Sequence, residues 1–458
     1  MGSLAEKQFQ ETSAPSKKKS ALLYRAVWRW HFYAGLIFSP FLIILAFSGA
    51  VYLFKPQIED VMYKDLYYIK NDATQPTALS LQLDEVKEKY PEGVVTSIKQ
   101  YEDPERTTEF GVMMGDKAQS VYVNPYTAKV QGSLDSDKKF TTLFKKLHSE
   151  LIVGGTVANR LVELAACWAV ILLLTGLYIW WPRNKASIWG TVLPRLRKKG
   201  RIFWRDLHAV PAFWLSLFVL ILIATGLPWS GVLGPQIQKM AVTPPYAYSF
   251  VEKPESVTVT KDVAVDIPWA NENLPVPSST DAGYMPMTID EVQKIAEDTD
   301  LAMPYTISMP ADKAGVFTLS HIDHPKDLAT IHLDQYSGAV LSDVRFNDFG
   351  IGAKLVEAGI ALHEGRLFGI TNQLIGLVVC LGLIGIVISS FIMWRKRKPS
   401  GKSGAPSKPA DKRTSLIVLG IMLVMGILMP LVGISIIIML ILDQFVLTRI
   451  KPVQQWLH

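Results

Sequence analysis

Cysteine is scarce in this 458-residue chain, and both cysteines, Cys167 and Cys380, lie within apolar runs. No disulfide framework can therefore join the polar segments of the chain. We interpret the two thiols as small apolar side chains of membrane helices rather than as a redox pair. The sequence also lacks a G-x-G-x-x-G motif between a strand and a helix. This absence excludes the usual fingerprint of a nicotinamide- or flavin-binding domain.

A cleavable signal peptide is also missing from the start of the sequence. The first apolar run is too long for one, and no small-x-small cleavage site follows it. The residues before that run, 1–24, are polar and rich in Lys and Ser. We expect them to form a disordered N-terminus.

Long apolar runs are abundant instead, near residues 33–54, 158–181, 209–232, 369–394 and 414–447. A helix needs roughly 20 apolar residues to span the hydrocarbon core of a bilayer. The first four runs satisfy this length, and each predicts one span. The fifth run has Pro430 and Gly433 in its middle, which predicts two short spans joined by a tight turn. The sequence therefore predicts an integral membrane protein, with the lipid bilayer as its first partner.

The net charge of +6 does not indicate a nucleic-acid partner, because the basic residues are clustered in alternate loops. Lys and Arg are concentrated in residues 17–29, 183–205 and 395–413. Such residues mark loops on the cytoplasmic side of a membrane. We therefore predict a multi-pass protein of the cytoplasmic membrane with both termini inside the cell. Segments 55–157 and 233–368 should lie outside.

Each outer segment predicts a small α+β module. In the first segment, residues 81–90 have helical spacing, and short β-branched runs follow within 93–130. In the second segment, Thr288 and Glu291 form a capping box at the start of a helix over 287–296. Strands are then predicted at 305–308, 315–320 and 330–333.

The two halves of the chain repeat one design. His31 stands 17 residues before Ser48-Gly49, and His208 stands 17 residues before Thr225-Gly226 (48 − 31 and 225 − 208). After each module, a Leu-His dipeptide leads into the next apolar run, at His148 and at His363. The repeated unit is thus a histidine-bearing helix, an outer module and a second histidine-bearing helix. The C-terminal hairpin has no counterpart, and packing or assembly is its expected role.

The repeat predicts a membrane-embedded, all-α bundle of four core helices with two α+β modules and a C-terminal hairpin. Its segments are the N-terminus (1–24), a first span (25–54), a first module (55–140), a second span with its approach (141–182), a loop (183–203), a third span (204–232), a second module (233–350), a fourth span with its approach (351–395), a loop (396–413), the hairpin (414–448) and a tail (449–458).

The topology sorts the four repeat-related histidines into two pairs. His31 and His208 lie at the inner ends of their spans, whereas His148 and His363 lie on the outer approaches. A pseudo-two-fold packing would bring the members of each pair face to face. Two histidines on facing helices at one depth can bind a haem iron from both sides. A lone histidine at a membrane interface has a simpler explanation, but two pairs matched in repeat position and depth favour two haem groups.

Other polar residues give weaker signals. Arg29 and Arg205 precede two of the histidines and are candidates for binding haem propionates, although the positive-inside bias explains them equally well. His321, His324 and His332 are grouped in the second module. A metal site there is conceivable, but polar positions on a strand and a turn are the favoured interpretation.

Two carboxylates stand within or near the apolar runs. Glu163 lies in the second span, and an ionisable group at membrane depth predicts a functional role by default. Asp443 lies near the inner end of the last run, beside Arg449. We interpret Asp443 as a topology anchor.

Taken together, these motifs resemble those of the PepSY-associated transmembrane family, a group described as iron-regulated membrane proteins. The resemblance covers nearly the whole chain, although His31 stands in WRWH rather than WRDLH. The residues that carry it are Thr175-Gly176 with Trp180 to Arg183, Trp204 to His208, Thr225 to Ser230, and Leu362 to Gly365. It implies that the outer modules are PepSY domains. Members of the family include ferric-siderophore reductases, and by this resemblance His31, His148, His208 and His363 would bind two haem b groups.

The resulting expectation is a membrane oxidoreductase that reduces an extracytoplasmic ferric siderophore or another ferric chelate. Its electron donor would be a quinol or a separate cytoplasmic reductase. One alternative is a non-catalytic membrane protein whose modules bind peptides or regulate a peptidase. Another is a permease for iron chelates, but spans one, three and four have almost none of the midplane polar residues that a permease predicts.

Overall fold

The computed structural model describes residues 15–69, 75–183, 187–242, 254, 256–281, 283–399, 402–404, 412–442, 444–445 and 449–450. Fourteen α-helices and eight strands are present within these residues. The helices are α1 (Pro15–Tyr52), α2 (Lys55–Met62), α3 (Lys64–Tyr67), α4 (Leu79–Lys89), α5 (Phe140–Glu150), α6 (Gly155–Trp180), α7 (Arg201–Gly226), α8 (Leu233–Val242), α9 (Thr260–Val263), α10 (Ile289–Asp298), α11 (Ile351–His363), α12 (Gly369–Arg397), α13 (Lys412–Leu428) and α14 (Pro430–Leu442).

Four helical segments are long and apolar enough to cross a membrane: Leu22–Tyr52, Gly155–Trp180, Arg201–Trp229 and Gly369–Arg397. They correspond to the four predicted spans, so the prediction of a membrane protein is confirmed. Helix α1 packs against α6 and α12, and α7 also packs against α6 and α12. The four helices thus form a bundle in the ring order α1, α6, α7, α12. This order places α1 and α7 at opposite corners.

The bounds of several predicted segments differ from the observed ones. Helix α1 begins at Pro15, within the N-terminal segment that was predicted to be disordered. The second and fourth predicted spans are each divided into two helices, α5 and α6 in the first repeat and α11 and α12 in the second. Each division lies just after a Leu-His dipeptide. The approach to the membrane is therefore a separate helix, free to take its own direction.

The two outer segments form one antiparallel sheet rather than two separate ones. Its strand order is β4-β3-β2-β1-β5-β6-β7-β8, and β1 and β5 join the two halves in a register that pairs Ile98 with Ile307. The strands are β1 (Val94–Gln100), β2 (Thr108–Met114), β3 (Lys117–Val123), β4 (Val130–Asp135), β5 (Tyr305–Ser308), β6 (Val316–His321), β7 (Ala329–Asp334) and β8 (Val340–Arg345). The expectation of independent modules missed this junction, as well as the last strand, β8.

One hydrophobic core spans both halves of the sheet. Helices α4 and α10 contact each other and bury Val86 and Val292 against the strands. The predicted capping box of Thr288 and Glu291 is present at the start of α10. In the second half, every residue of β5, β6 and β7 is buried. The reason is that residues 256–281 cover the face of these strands opposite the helices. For example, the Asn271 side-chain amide donates a hydrogen bond to the Thr330 hydroxyl (2.9 Å).

The C-terminal hairpin packs on one side of the bundle. Helix α13 contacts α1, and α14 contacts α6, where the Trp168 indole donates a hydrogen bond to the Ser435 hydroxyl (3.1 Å). The two hairpin helices approach closely at Gly426 and Gly433, since a Cβ on Gly426 would lie 2.9 Å from the Gly433 Cα. The two helices, of 17 and 13 residues, are shorter than the four spans. Packing against the first repeat is the role visible for this hairpin.

Burial predicts that two valines in the first half of the sheet contribute unequally to the stability of the fold. Val112 is 1% exposed and Val94 is 65% exposed. Val112→Ala removes two buried carbons and leaves a cavity, which should cost about 2 kcal/mol. We expect a lower midpoint temperature, by about 2–4 °C, for loss of monodisperse protein in detergent. Val94→Ala is the matched control, and an equal shift in both variants would contradict this assignment of the core.

Candidate functional site

The histidine rings near one end of the bundle come from opposite corners. His31 lies on α1 and His208 on α7. Their ring centres are 6.4 Å apart, and the ring planes are inclined by 74°. We call these two residues the distal pair, because they lie at the end of the bundle away from the sheet.

The second pair lies at the end of the bundle that faces the sheet. His148 is near the end of α5, and His363 is the last residue of α11. Their ring centres are 6.1 Å apart, with an interplanar angle of 65°. We call them the proximal pair. The structure thus places the four predicted residues in two couples with nearly equal separations.

Each histidine ring is held by a turn of a neighbouring helix in which a backbone carbonyl is followed, three residues later, by a Ser or Thr. The carbonyl is a partner of all four rings, and the hydroxyl bonds the ring in every turn except that of His208. We call this element an acceptor turn. His148 Nδ1 lies 3.0 Å from the Leu45 carbonyl and 3.1 Å from the Ser48 hydroxyl. The other three acceptor turns are Leu172–Thr175 for His31, Leu222–Thr225 for His363, and Ile386–Ser389 for His208.

The acceptor turns determine the tautomer of the rings. A backbone carbonyl can only accept a hydrogen bond, so the imidazole Nδ1 must carry the proton that it donates. In a neutral ring, the Nε2 atom then keeps its lone pair. This is the state in which a second hydrogen-bond partner prepares a histidine to bind a metal. Each of the four rings therefore offers one nitrogen ligand.

Three acceptor turns are followed by a glycine that leaves room for the ring. A Cβ on Gly49 would lie 3.2 Å from Cε1 of His148, and one on Gly176 would lie 3.2 Å from Cε1 of His31. At Gly226 the distance to Cε1 of His363 would be 2.9 Å. Any larger residue would push the imidazole away. The Ser/Thr-Gly pairs noted in the sequence are therefore the places where a neighbouring histidine packs.

Helices α1 and α7 each serve both pairs. His31 and Ser48 are 17 residues apart on α1, as are His208 and Thr225 on α7. At 1.5 Å per residue, the distal and proximal layers are about 25 Å apart along the helices. This spacing places one pair near each end of a hydrocarbon core about 30 Å thick.

Backbone turns position the proximal pair. Helix α5 ends in two residues of left-handed conformation, Leu151 (φ 54°) and Ile152 (φ 67°). These residues redirect the chain so that α5 packs against α1 while α6 crosses the bundle separately. After α11, Gly365 (φ 79°) has the same effect. Without these breaks, His148 and His363 would be carried away from the bundle by straight helices.

Burial keeps the proximal rings uncharged. Removal from water and the nearby His363 lower the pKa of His148 to about 4. Burial also lowers the pKa of His363, opposed by its bond to the Leu222 carbonyl. The neutral ring is the form that binds a metal, so this pair is ready for a ligand at neutral pH.

The two arginines flagged in the sequence have partners of their own. Arg205 donates to Asp206 at 2.7 Å, and Arg195 pairs with the same carboxylate at 2.7 Å. The Arg29 guanidinium lies 5.0 Å from the centre of the Tyr33 ring. A role with propionates stays a prediction for both residues. Sequence reasoning missed Asp206, which is 1% exposed and ties the loop that contains Arg195 to the start of α7.

The three histidines of the second half of the sheet make local hydrogen bonds, and the backbone N–H of His324 donates to His321 Nε2 (3.4 Å). His332 is bonded to the Thr318 hydroxyl (2.9 Å), and His321 donates to the Pro304 carbonyl (2.9 Å). His324 accepts from the backbone of Lys326 and caps a short helix. No group of three or more potential metal-binding side chains occurs within the described ranges.

Glu163 has a structural role. Its carboxylate accepts from the backbone N–H groups of Val232 (2.8 Å) and Leu233 (3.0 Å). These bonds cap the start of α8 and fasten it to α6, since a carboxylate is favourable at the N-terminus of a helix. Asp443 lies outside the described residues.

A cavity of about 150 Å³ adjoins the proximal pair. Trp229 lies at its wall, and the Trp229 ring centre is 6.0 Å from that of His363. The cavity is lined by Trp229, Ile267, Pro268, Trp269, Glu272, Ile322, Leu328, Glu357, Ile360, Glu364 and Arg366. Sequence analysis did not find this cavity, because its walls come from segments far apart in the chain.

The family model of the PepSY-associated transmembrane region matches residues 28–397. The chain belongs to this family. The match covers both histidine pairs, all four acceptor turns and the sheet, so the PepSY-associated transmembrane assignment covers the whole candidate site. No curated protein matches the chain.

The buried carboxylate of Asp206 generates a prediction. Asp206→Asn removes the charge that holds Arg195 and Arg205, both of which are partly exposed. The loop at residues 187–200 should then open more readily. A loss of about 1.4 kcal/mol in the free energy that holds the loop closed corresponds to about a tenfold larger open fraction. We expect faster trypsin cleavage at Arg195 and its basic neighbours in detergent-purified protein. Asp84→Asn, at an exposed site on α4, is the control and should leave the cleavage rate unchanged.

Proposed function

We propose that this protein is a membrane oxidoreductase that binds two haem b groups, one at each histidine pair, and reduces a ferric siderophore or another ferric chelate. The observation that carries the proposal is the presence of two imidazole couples with nearly equal separations, 6.4 and 6.1 Å between ring centres. Single interfacial histidines would have no reason to face one another at two depths.

The ring separations fit the proposed ligand. A metal–imidazole nitrogen bond is about 2.0–2.1 Å long, and that nitrogen lies about 1.1 Å from its ring centre. Two imidazoles that bind one metal from opposite sides therefore have ring centres about 6.3 Å apart. The hydrogen-bonded Nδ1 atoms and the Ser/Thr-Gly spaces support the same assignment, since they fix the rings with Nε2 available as a ligand.

When bound, a haem with two histidine ligands supplies one-electron transfer, because neither face of its iron is open to a substrate. The residues of the chain contribute orientation and spacing. The acceptor turns hold each imidazole, and α1 and α7 set the two pairs about 25 Å apart.

Charge placement supports the orientation of the protein. Lys and Arg are concentrated at the bundle end opposite the sheet, in residues 183–205 and 395–398. The positive-inside rule then puts the distal pair near the cytoplasm and the sheet outside the cytoplasmic membrane. The electron donor would be a quinol or a cytoplasmic reductase. The substrate would approach on the sheet side, near the proximal pair.

The sheet domain would cover that approach. Each half of the sheet is four strands packed against one helix, α4 or α10, an α+β arrangement that supports the proposal of PepSY-like modules. Segments of the second half lie directly above α11, so that Ala270 contacts Glu357 (2.8 Å). Reduction of Fe(III) to Fe(II) weakens its binding by hard oxygen ligands, which would release the iron from its chelate outside the cell.

The pairing generates a direct test. Purified wild-type protein should bind about two haem groups per chain and give a six-coordinate, low-spin spectrum. His31→Ala or His208→Ala should remove the same one of these groups, and His148→Ala or His363→Ala the other. His324→Ala changes a histidine outside both pairs and is the control. Protein that stays colourless after haem addition would exclude the proposal and favour the non-catalytic, peptide-binding alternative.

The glycine contacts generate a second test. Gly226→Ala places a methyl group 2.9 Å from Cε1 of His363, whereas a Cβ on Gly385 meets nothing within 4 Å. Alanine is the better helix former by about 1 kcal/mol, so any loss in Gly226→Ala must come from the displaced ring. We expect haem affinity at the proximal pair to fall about tenfold, measured by titration of haem-depleted protein. Gly385→Ala should bind like the wild type, and equal affinities in the two variants would refute the packing argument.

A further inference from the structure

The cavity beside the proximal pair contains an unusual group of charges. Three carboxyl groups and one guanidinium line it: Glu272, Glu357, Glu364 and Arg366. The Arg366 guanidinium already has partners. It pairs with the Glu364 carboxylate at 2.7 Å and donates a hydrogen bond to the Asp323 carbonyl at 2.9 Å. It therefore offsets Glu364 most directly. The cavity has an excess of acidic groups and only one cation.

Glu357 is the most enclosed of these acids. It is 4% exposed, and its Oε1 accepts a hydrogen bond from the Ala270 N–H at 2.8 Å. Buried Trp269 and Ile360 line the same space. Burial raises the pKa of Glu357 to about 7. The Ala270 N–H and Arg366 act against this rise, while Glu272 and Glu364 add to it. A small change in nearby charge can therefore alter its protonation at neutral pH.

Two structural links connect Glu357 to the proximal pair. Glu357 and His363 lie on the same helix, six residues or about 9 Å apart along its axis. Trp229 lines the cavity and contacts the His363 ring. At a distance of about 10 Å and an effective dielectric constant of about 20, one electron added at the proximal pair would shift the protonation equilibrium of Glu357 by roughly tenfold.

We propose that Glu357 is the redox-linked proton acceptor of the proximal pair. If the proximal pair holds a one-electron carrier, an electron added there would favour uptake of a proton from water by the Glu357 carboxylate. Transfer of that electron to Fe(III) of the chelate would favour release of the proton to water or to a ligand oxygen of the chelate. The proton on Glu357 would then offset part of the added charge. This inference rests on the proposed function.

The test is a spectroscopic redox titration of the purified haem-loaded protein from about pH 6 to about pH 9. The proximal group is identified by its absence in His363→Ala. In the wild type, its midpoint potential should fall as the pH rises above about 7, by about 59 mV in total, because a roughly tenfold shift of the protonation equilibrium corresponds to 59 mV for one electron. Glu357→Gln keeps an oxygen for the Ala270 N–H but cannot titrate, so its slope should fall by at least half. Glu357→Asp restores a carboxyl and should recover the slope.

A second readout identifies the group directly. The reduced-minus-oxidised infrared difference spectrum of the wild type should contain a protonated-carboxyl band that Glu357→Gln loses. Glu297→Gln, on the exposed face of α10, is the control and should keep both signals unchanged. Glu272→Gln, in the same cavity, should also keep both signals, with the pH dependence displaced to lower pH because Glu272 raises the pKa of Glu357. Loss of the slope in Glu272→Gln but not in Glu357→Gln would overturn the assignment. A wild-type potential that is independent of pH, in protein with two haem groups, would reject this inference while leaving the proposed function intact.

Discussion

The hydrogen bond from each histidine Nδ1 to a carbonyl of a neighbouring helix is the interaction on which the site depends. It sets the tautomer, holds the plane of the ring and joins two helices at one point. Each partner helix supplies the carbonyl and enough space for an imidazole, and in three of the four cases a hydroxyl three residues later also bonds the ring. These demands account for Ser48-Gly49, Thr175-Gly176 and Thr225-Gly226. They also require that α5 and α11 end where they do, so that His148 and His363 can reach α1 and α7.

The sheet and the bundle follow the same pseudo-two-fold arrangement. Strands β1 and β5 pair at the centre of the sheet, as α1 and α7 face each other across the bundle. A duplicated chain gives each helix of the first repeat an equivalent in the second. Equivalent residues then meet across the axis, which is why His31 faces His208 and His148 faces His363. The repeat is thus the physical origin of both pairs.

Much of this arrangement was predictable from the sequence, because apolar length and charge bias act locally. The four spans, the strands of the first half and the capping box at Thr288 follow from such local rules. The β1–β5 junction was not predictable, since two edge strands with similar patterns can pair or remain apart. The acceptor turn of His208 was also hidden. It uses Ile386 and Ser389, one residue away from the repeat position of Thr175, and it has Ser390 where the other turns have glycine.

The two repeats differ most in the charges that lie above the proximal pair. In the first half, Lys139 pairs with Glu109 at 3.1 Å. Burial opposes ionisation there, but the neighbouring lysine prevails and lowers the pKa of Glu109 to about 2. In the second half, Arg366 is paired with Glu364, and burial instead raises the pKa of Glu357. The first half therefore presents a fixed ion pair, whereas the second presents an acid that can change its charge. Because the bundle beneath is nearly symmetric, this difference supports the inference that proton uptake involves the side of α11.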